Sequence, residues 1–344
     1  MRRSWRKVSL VLFFCTVLLA IYWKKEAQVH EMVVCLKERF KIDRGNVDSL
    51  RIHKQDNLID QLPCLLDEED AWYTKYHILA HGGGGIDGKC NTNSMESLEL
   101  HYSRGTRLFD VDILFTTDSI MVCRHSWKDN TEQVYEPHHC SEIVYGIELD
   151  YYYYYYLRDG EMPMDSAAFM SHQIFGTYTP MTMEDLLIWL QRHDDAVIFP
   201  DFKGDIAQNV KALDYKLRKM NMQDLWSRIV IRIRDFSEYD SVRALLPSDS
   251  NIMLKGYDTS HVTYYDILSF CVLHNVHCLA LTAKRADDSI IMKFHEKGVH
   301  VFVAVIDYLS DAAYYKERGA YGFVSNFLYE ESFSRIINKE AYGR

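Results

Sequence analysis

YHILAHGGGG (76–85) and TRLFDVDILFTTDSIMVCRHSW (106–127) decide how the rest of this chain is read. The first is an apolar run that ends in a histidine and four glycines. Between the two, SMESLELHYSRG (94–105) has the amphipathic spacing of a helix, closed by Gly105. LFDVDILF (108–115) reads as a second strand, and SIMVCRH (119–125), after a tight TTD turn, as a hairpin arm. Asp110 and Asp112 stand two apart, which on a strand points both carboxylates to one face. Two acceptor-only carboxylates side by side repel unless positive charge lies between them, and a hard divalent cation is a natural candidate. His81 and His125 flank that strand and would supply an acid and a base.

Working outward, the alternation of apolar strand, polar turn and amphipathic helix continues. AVIFPDFK (196–203) is strand-like and IAQNVKALDYKLRKM (206–220) helical. Further strands begin near 228, 251, 277, 300 and 320. Leaving out the hairpin arm at 119–125, the main strands number eight, the count of a (β/α)8 TIM barrel over residues 76–335. A doubly wound open sheet is the alternative. In a barrel, functional side chains sit at C-terminal strand ends. His81, Asp110, Asp112, Asp201, Lys203 and Lys255 all fall there. Residues 128–180 break the rhythm and read as an insertion at the rim, carrying the tyrosine run Tyr151–Tyr156. His138, His139 and Cys140 in it read as surface loop, because no spacing completes a metal cluster.

With 344 residues and 48% hydrophobic content, the chain is long enough for one large core. A net charge of -10 argues against nucleic acid as a partner. Arg2, Arg3, Arg6 and Lys7 precede an uncharged apolar run, residues 8–23, closed by Lys24 and Lys25. Residues 1–25 therefore read as a signal anchor, a single-pass membrane segment with the remaining chain extracytoplasmic. A cleaved signal peptide is the rival. Residues 26–75 read as a stalk with short lead-in helices. Seven of the eight cysteines lie beyond the anchor, and spacing does not assign their pairing.

AHGGG, then NTNSMESLELHYSRGTRLFDVDILFTTDSIMVCRHSW, then PDFK resembles the glycerophosphodiester phosphodiesterase family, one of the phospholipase-C-like barrels. The likeness is specific over roughly 76–127 and fainter over 178–330. It implies His81 and His125 as an acid–base pair, Asp110, Asp112 and Asp201 as ligands of Mg²⁺ or Ca²⁺, and Lys203 on the phosphate. One histidine would assist the attacking nucleophile, in the family a neighbouring substrate hydroxyl, while the other protonates the leaving alcohol. The implied substrate is a glycerophosphodiester or a lipid headgroup.

The chain also departs from that pattern. Gly82 stands where an arginine follows the first histidine, and Asn91-Thr92-Asn93-Ser94 replaces a segment that carries an acid. Asp110 stands for a glutamate, Ser126 for an aspartate, and Ser325-Asn326 for a closing Thr-Asp. Asp201-x-Lys203 is nearer to the sphingomyelinase D toxins. Two alternatives follow: a sphingomyelinase-D-like phospholipase, or a weakened barrel acting as a membrane-anchored binding or scaffold protein. A glycosidase-like use of the carboxylates is a third class.

Overall fold

The computed structural model describes residues 59–68, 71–127, 143–144, 147–148, 164–248, 250–256, 262–286 and 288–334. The anchor and the tyrosine run lie outside them, as do His138, His139 and Cys140. No helix among the described residues is long and apolar enough to cross a membrane. The chain divides into two compact units, residues 1–61 and 62–344, and the second carries the fold.

Eight parallel strands are found among the described residues: β1 (Ile78–Ala80), β2 (Leu108–Phe115), β4 (Val197–Phe202), β5 (Ile231–Ile233), β6 (Ile252–Lys255), β7 (Cys278–Thr282), β8 (His300–Ala304) and β9 (Gly322–Ser325). β3 (Met121–Cys123) is the hairpin arm, antiparallel to β2. Pairing runs β2–β1–β9–β8–β7–β6–β5, with β4 on the other side of β2. A single parallel bridge between Ile198 and Ile229 joins β4 to the start of β5 and returns the curled sheet on itself. The eight main strands read from the sequence are these eight.

Between strands run α2 (Met95–Ser103), α3 (Ser166–Ser171), α4 (Met183–Arg192), α5 (Ile206–Met220), α6 (Tyr239–Arg243), α7 (Tyr264–Leu273), α8 (Asp288–Glu296) and α9 (Leu309–Lys316). Their starts are legible in the sequence. Ser94, Asp205, Thr182 and Thr263 each accept a backbone N–H of their own first turn, and the last two complete capping boxes with Asp185 and Asp266. Such caps satisfy amides that a helix cannot pair internally.

The inward rows of the strands explain where chemistry collects. Leu79, Leu108, Val197, Phe199, Val230, Met253, Cys278, Ala280, Phe302 and Val324 form one buried cluster that fills the lower barrel. Two residues further along the same rows, period two replaces apolar side chains with charged ones: Leu108 gives way to Asp110 and Asp112, Phe199 to Asp201, Val230 to Arg232, and Met253 to Lys255. Hydrophobic burial holds the floor of the barrel and leaves a polar cup at the C-terminal ends.

The lead-in region differs from expectation. Residues 62–68 are not helical but a strap: Leu65 N–H donates to the Lys297 carbonyl at 2.9 Å, and Lys297 Nζ to the Leu62 carbonyl at 2.7 Å. Pro63 cannot donate within a helix, and the strap's polar backbone finds its partners after α8 instead. α1 (Trp72–Lys75) then buries Trp72 and Tyr73 in the barrel cluster, so the organised body begins before Tyr76. In the insertion, residues 164–180 are tied to the hairpin and to α2. Ser166 N–H and Oγ donate to Asp118, and Thr179 donates to Glu96.

Candidate functional site

The expected site residues gather towards the C-terminal ends of their strands, with Asp110 the deepest, third of the eight residues of β2. His81 opens a 3-10 turn directly after β1, Asp110 and Asp112 lie in β2, Asp201 ends β4 with Lys203 just beyond it, and His125 follows β3. In the β2–β4 register Asp112 stands opposite Asp201 and Asp110 opposite Phe199, so the two strands carry their carboxylates into the same cup.

Lys203 ties two of these together. Its Nζ donates to Asp112 Oδ1 at 2.6 Å and to Asp201 Oδ2 at 2.8 Å. Lys255 Nζ donates to the same Asp201 oxygen at 3.0 Å. Asp110 pairs with the Arg232 guanidinium, which reaches it from β5. Burial alone would raise the Asp201 carboxyl. Arg232, Lys255 and Lys203 overcome it and hold Asp201 well below the carboxylate range. Asp112 is also pushed up by burial and held down by Lys203, with Asp201 opposing. The reciprocal field raises the Lys203 ammonium against its own desolvation.

Backbone and amide groups fix the rest. Asn93, fully buried, donates from Nδ2 to Asp112 Oδ2 at 3.0 Å and accepts the Asp112 N–H at 2.9 Å. It thus clips the helix-proximal loop to β2. On the other flank of β1, where β8 and β9 end, Asp307 accepts Asn326 N–H at 2.6 Å, Asn326 Nδ2 at 2.9 Å and Ser325 Oγ at 2.9 Å. Because a carboxylate only accepts, the Asn326 amide must turn its nitrogen to Asp307 and its oxygen to His81. His81 Nδ1 therefore donates to Asn326 Oδ1 across 3.1 Å. Its neutral tautomer then keeps Nε2 unprotonated, the state a general base needs.

The glycine run is a spacer between packed parts. A Cβ on Gly82 (φ +57) would lie 2.6 Å from Asn91 Oδ1 and 2.7 Å from Asn91 Cα. One on Gly84 (φ +93) would lie 2.2 Å from His101 Cδ2. Both glycines are buried, and the run lets the loop after β1 pack directly against Asn91 and His101. The missing arginine after His81 also has its physical reason: this backbone has no room for a side chain there.

Sequence reasoning missed Arg232, the structural part of Asn93, and the Asp307–Asn326 pair. Arg232 carried a usable signal, since RIVIRIRDF (228–236) puts Val230 and Arg232 on one face, and the barrel interior is the face of Val230. Asp307 and Asn326 carried none, because their bond depends on how β8 and β9 end beside each other.

A divalent ion was expected on Asp110, Asp112 and Asp201. A hard cation needs several anionic oxygens converging with open lone pairs. Asp112 has one oxygen on Lys203 and the other on Asn93, Asp201 shares one oxygen between two ammonium groups, and Asp110 is held by Arg232. Among the described residues no group of three His, Cys, Asp or Glu side chains is arranged to hold a metal ion. Three carboxylates already paired with three cations do not fit the ion.

No family model matches the sequence, and no curated protein is similar to it in sequence. Solved structures are similar in fold. A glycerophosphodiester phosphodiesterase from Parabacteroides distasonis superposes with a TM-score of 0.55 at 12% identity, over 77% of this chain and 98% of that one. One from Thermotoga maritima gives 0.51 at 12%, over 76% and 98%. An Oleispira antarctica phosphodiesterase, solved in complex with its product sn-glycerol-3-phosphate, gives 0.53 at 14%, over 76% and 96%. The chain shares the fold of these phosphodiesterases.

Proposed function

We propose that this chain hydrolyses a phosphodiester, a glycerophosphodiester or a lipid headgroup, at the mouth of its barrel. The observation that carries the reading is one cup that gathers Lys203 bonded to Asp112 and Asp201, Lys255 on Asp201, His81 held at Nδ1 by Asn326, and His125 one residue past the Arg124 N–H that donates to the Asp112 carbonyl. Two imidazoles on neighbouring strand ends, with an ammonium between two carboxylates, suit attack on a phosphorus centre and departure of an alcohol. The likeness in fold to phosphodiesterases, one of them holding sn-glycerol-3-phosphate, supports the same class of substrate.

In this reading His81, oriented by Asn326 and Asp307, accepts a proton at Nε2 from the neighbouring substrate hydroxyl as the new P–O bond forms, and water then opens the resulting cyclic phosphate with the two histidines in exchanged roles. His125 gives a proton to the alkoxide as the old P–O bond breaks. Lys203 and Lys255 stabilise the negative charge that grows on the non-bridging oxygens, the charge that must be met for the barrier to fall. No step requires the divalent ion that the family resemblance implies, because the donor set does not fit it. Residues 8–23 would tether the barrel to a bilayer, with the site on the extracytoplasmic side; protease accessibility in intact cells tests that part.

The experiment is turnover of glycerophosphocholine, glycerophosphoethanolamine and lysophospholipids by the wild type, His81→Ala and His125→Ala. Loss in both variants of a turnover seen in the wild type supports the assignment. Equal rates in all three proteins would sink it.

A further inference from the structure

We infer that this barrel mouth works with a built-in cation set, Arg232, Lys203 and Lys255, where the family resemblance implies a divalent metal ion. The inference rests on the reading of the cup as a phosphodiester site and says how that site meets charge.

The three cations differ in their freedom to move. The Lys203 side chain is 30% exposed and that of Lys255 17%, so each lies at the wall of the cup on a flexible stem. Either could swing aside for an ion or a substrate oxygen. Arg232 is different. Its side chain is 1% exposed and its partner Asp110 4%, and both project from strands in the barrel wall. The apolar layer of Val230, Phe199 and Met253 lies one step below. A guanidinium does not lose its charge in a protein, and this one has no path to solvent. An ion bound to Asp110 would therefore sit beside a permanent, immobile positive charge in a low-dielectric interior, where like charges repel most strongly.

Charge balance points the same way. Asp110, Asp112 and Asp201 carry three negative charges, and Arg232, Lys203 and Lys255 carry three positive ones. The cluster is already neutral, so it offers a dication no net attraction. A diester that displaces a lysine from its carboxylate meets that ammonium directly. Arg232 then serves as a positioning residue: it pairs with Asp110 and leaves Asp112 and Asp201 as the anions on which both lysines rest between turnovers.

The test is Mn²⁺ binding followed by electron paramagnetic resonance on the full chain after treatment with chelator. The wild type should bind no more Mn²⁺ than Asp112→Asn does, and Arg232→Gln should gain one site at least tenfold tighter, lost again in Arg232→Gln/Asp112→Asn. One equivalent of Mn²⁺ on the wild type, lost in Asp112→Asn, overturns the inference even if Arg232→Gln fails to fold. Diester turnover unchanged by EDTA supports it; turnover lost in EDTA and restored by Mg²⁺ overturns it while leaving the phosphodiesterase reading intact. Absence of turnover under every condition removes that reading alone, since the Mn²⁺ titration is read without substrate.

Discussion

The two ends of this barrel contain the same residue types and use them differently. At the mouth, His81 and His125 follow β1 and β3 beside a cup that holds Asp112, Lys203 and Lys255. At the floor, His77, His277 and His300 sit with Asp67 and Glu330, yet every one is packed into a ring stack. His77 lies 4.1 Å from the Phe333 ring and bonds Glu330 at 2.8 Å. His277 stacks on Tyr73 at 4.7 Å, and His300 Nε2 bonds Asp67 at 2.8 Å. The strap at 62–68 and α1 cover that end. Histidine with carboxylate is therefore not a site by itself. The mouth differs because it concentrates fixed charge at strand ends, whereas the floor buries its polar groups among apolar and aromatic ones.

The largest test of this contrast is kinetic. His81→Ala should lower diester turnover by about 10²–10⁴-fold, the usual share of a general acid or base, while His277→Ala should leave the rate constant per folded molecule unchanged. Steady-state assays normalised to folded protein measure both, and equal losses would erase the distinction between the ends. Next comes stability. Lys203→Met strips Asp112 and Asp201 of a shared partner and should cost about 3 kcal/mol in denaturant unfolding, as breaking a buried pair does. Asp67→Asn at the half-exposed floor pair should cost less than about 1 kcal/mol. A larger loss from the second change would reverse the ranking.

A third test separates the mouth by pH. His101, fully buried below the glycine run, is pushed down by burial to about 4, although its bond to the Gly85 carbonyl pulls upward. Its folded pKa is depressed, so the unfolded chain binds the proton first as pH falls. The stability it contributes is complete above about pH 6.5 and is lost progressively towards pH 4, roughly 3 kcal/mol in all. Asp112 and Asp201, also lowered, lose their contribution only below the ordinary carboxylate range, at more acid pH. Thermal unfolding from pH 7 to pH 4 should therefore show a slope that His101→Gln flattens; an unchanged slope assigns the loss elsewhere. The smallest effect on turnover is expected from Gly82→Arg. Restoring the arginine of the family pattern should destabilise by about 1–3 kcal/mol through the left-handed backbone and the clash with Asn91, with no gain in turnover. A faster enzyme would show that the loop yields more readily than its packing indicates.

Much of this molecule was legible in the order of its residues. Eight apolar segments separated by capped helices require a parallel sheet with both faces covered, and the two-residue period of LFDVDILF sends Asp110 and Asp112 the same way. The placement of His81, His125, Asp201 and Lys203 at strand ends follows from where those segments stop. Periodicity says which face a side chain takes; it does not say what stands across the barrel from it. Only the tertiary structure paired Asp110 with Arg232, two strands away, and joined His81 to Asp307 through Asn326 from the far end of the chain. Those pairings arise from barrel closure, and they turn three carboxylates that suggest a metal into a cluster whose charge is already met from within.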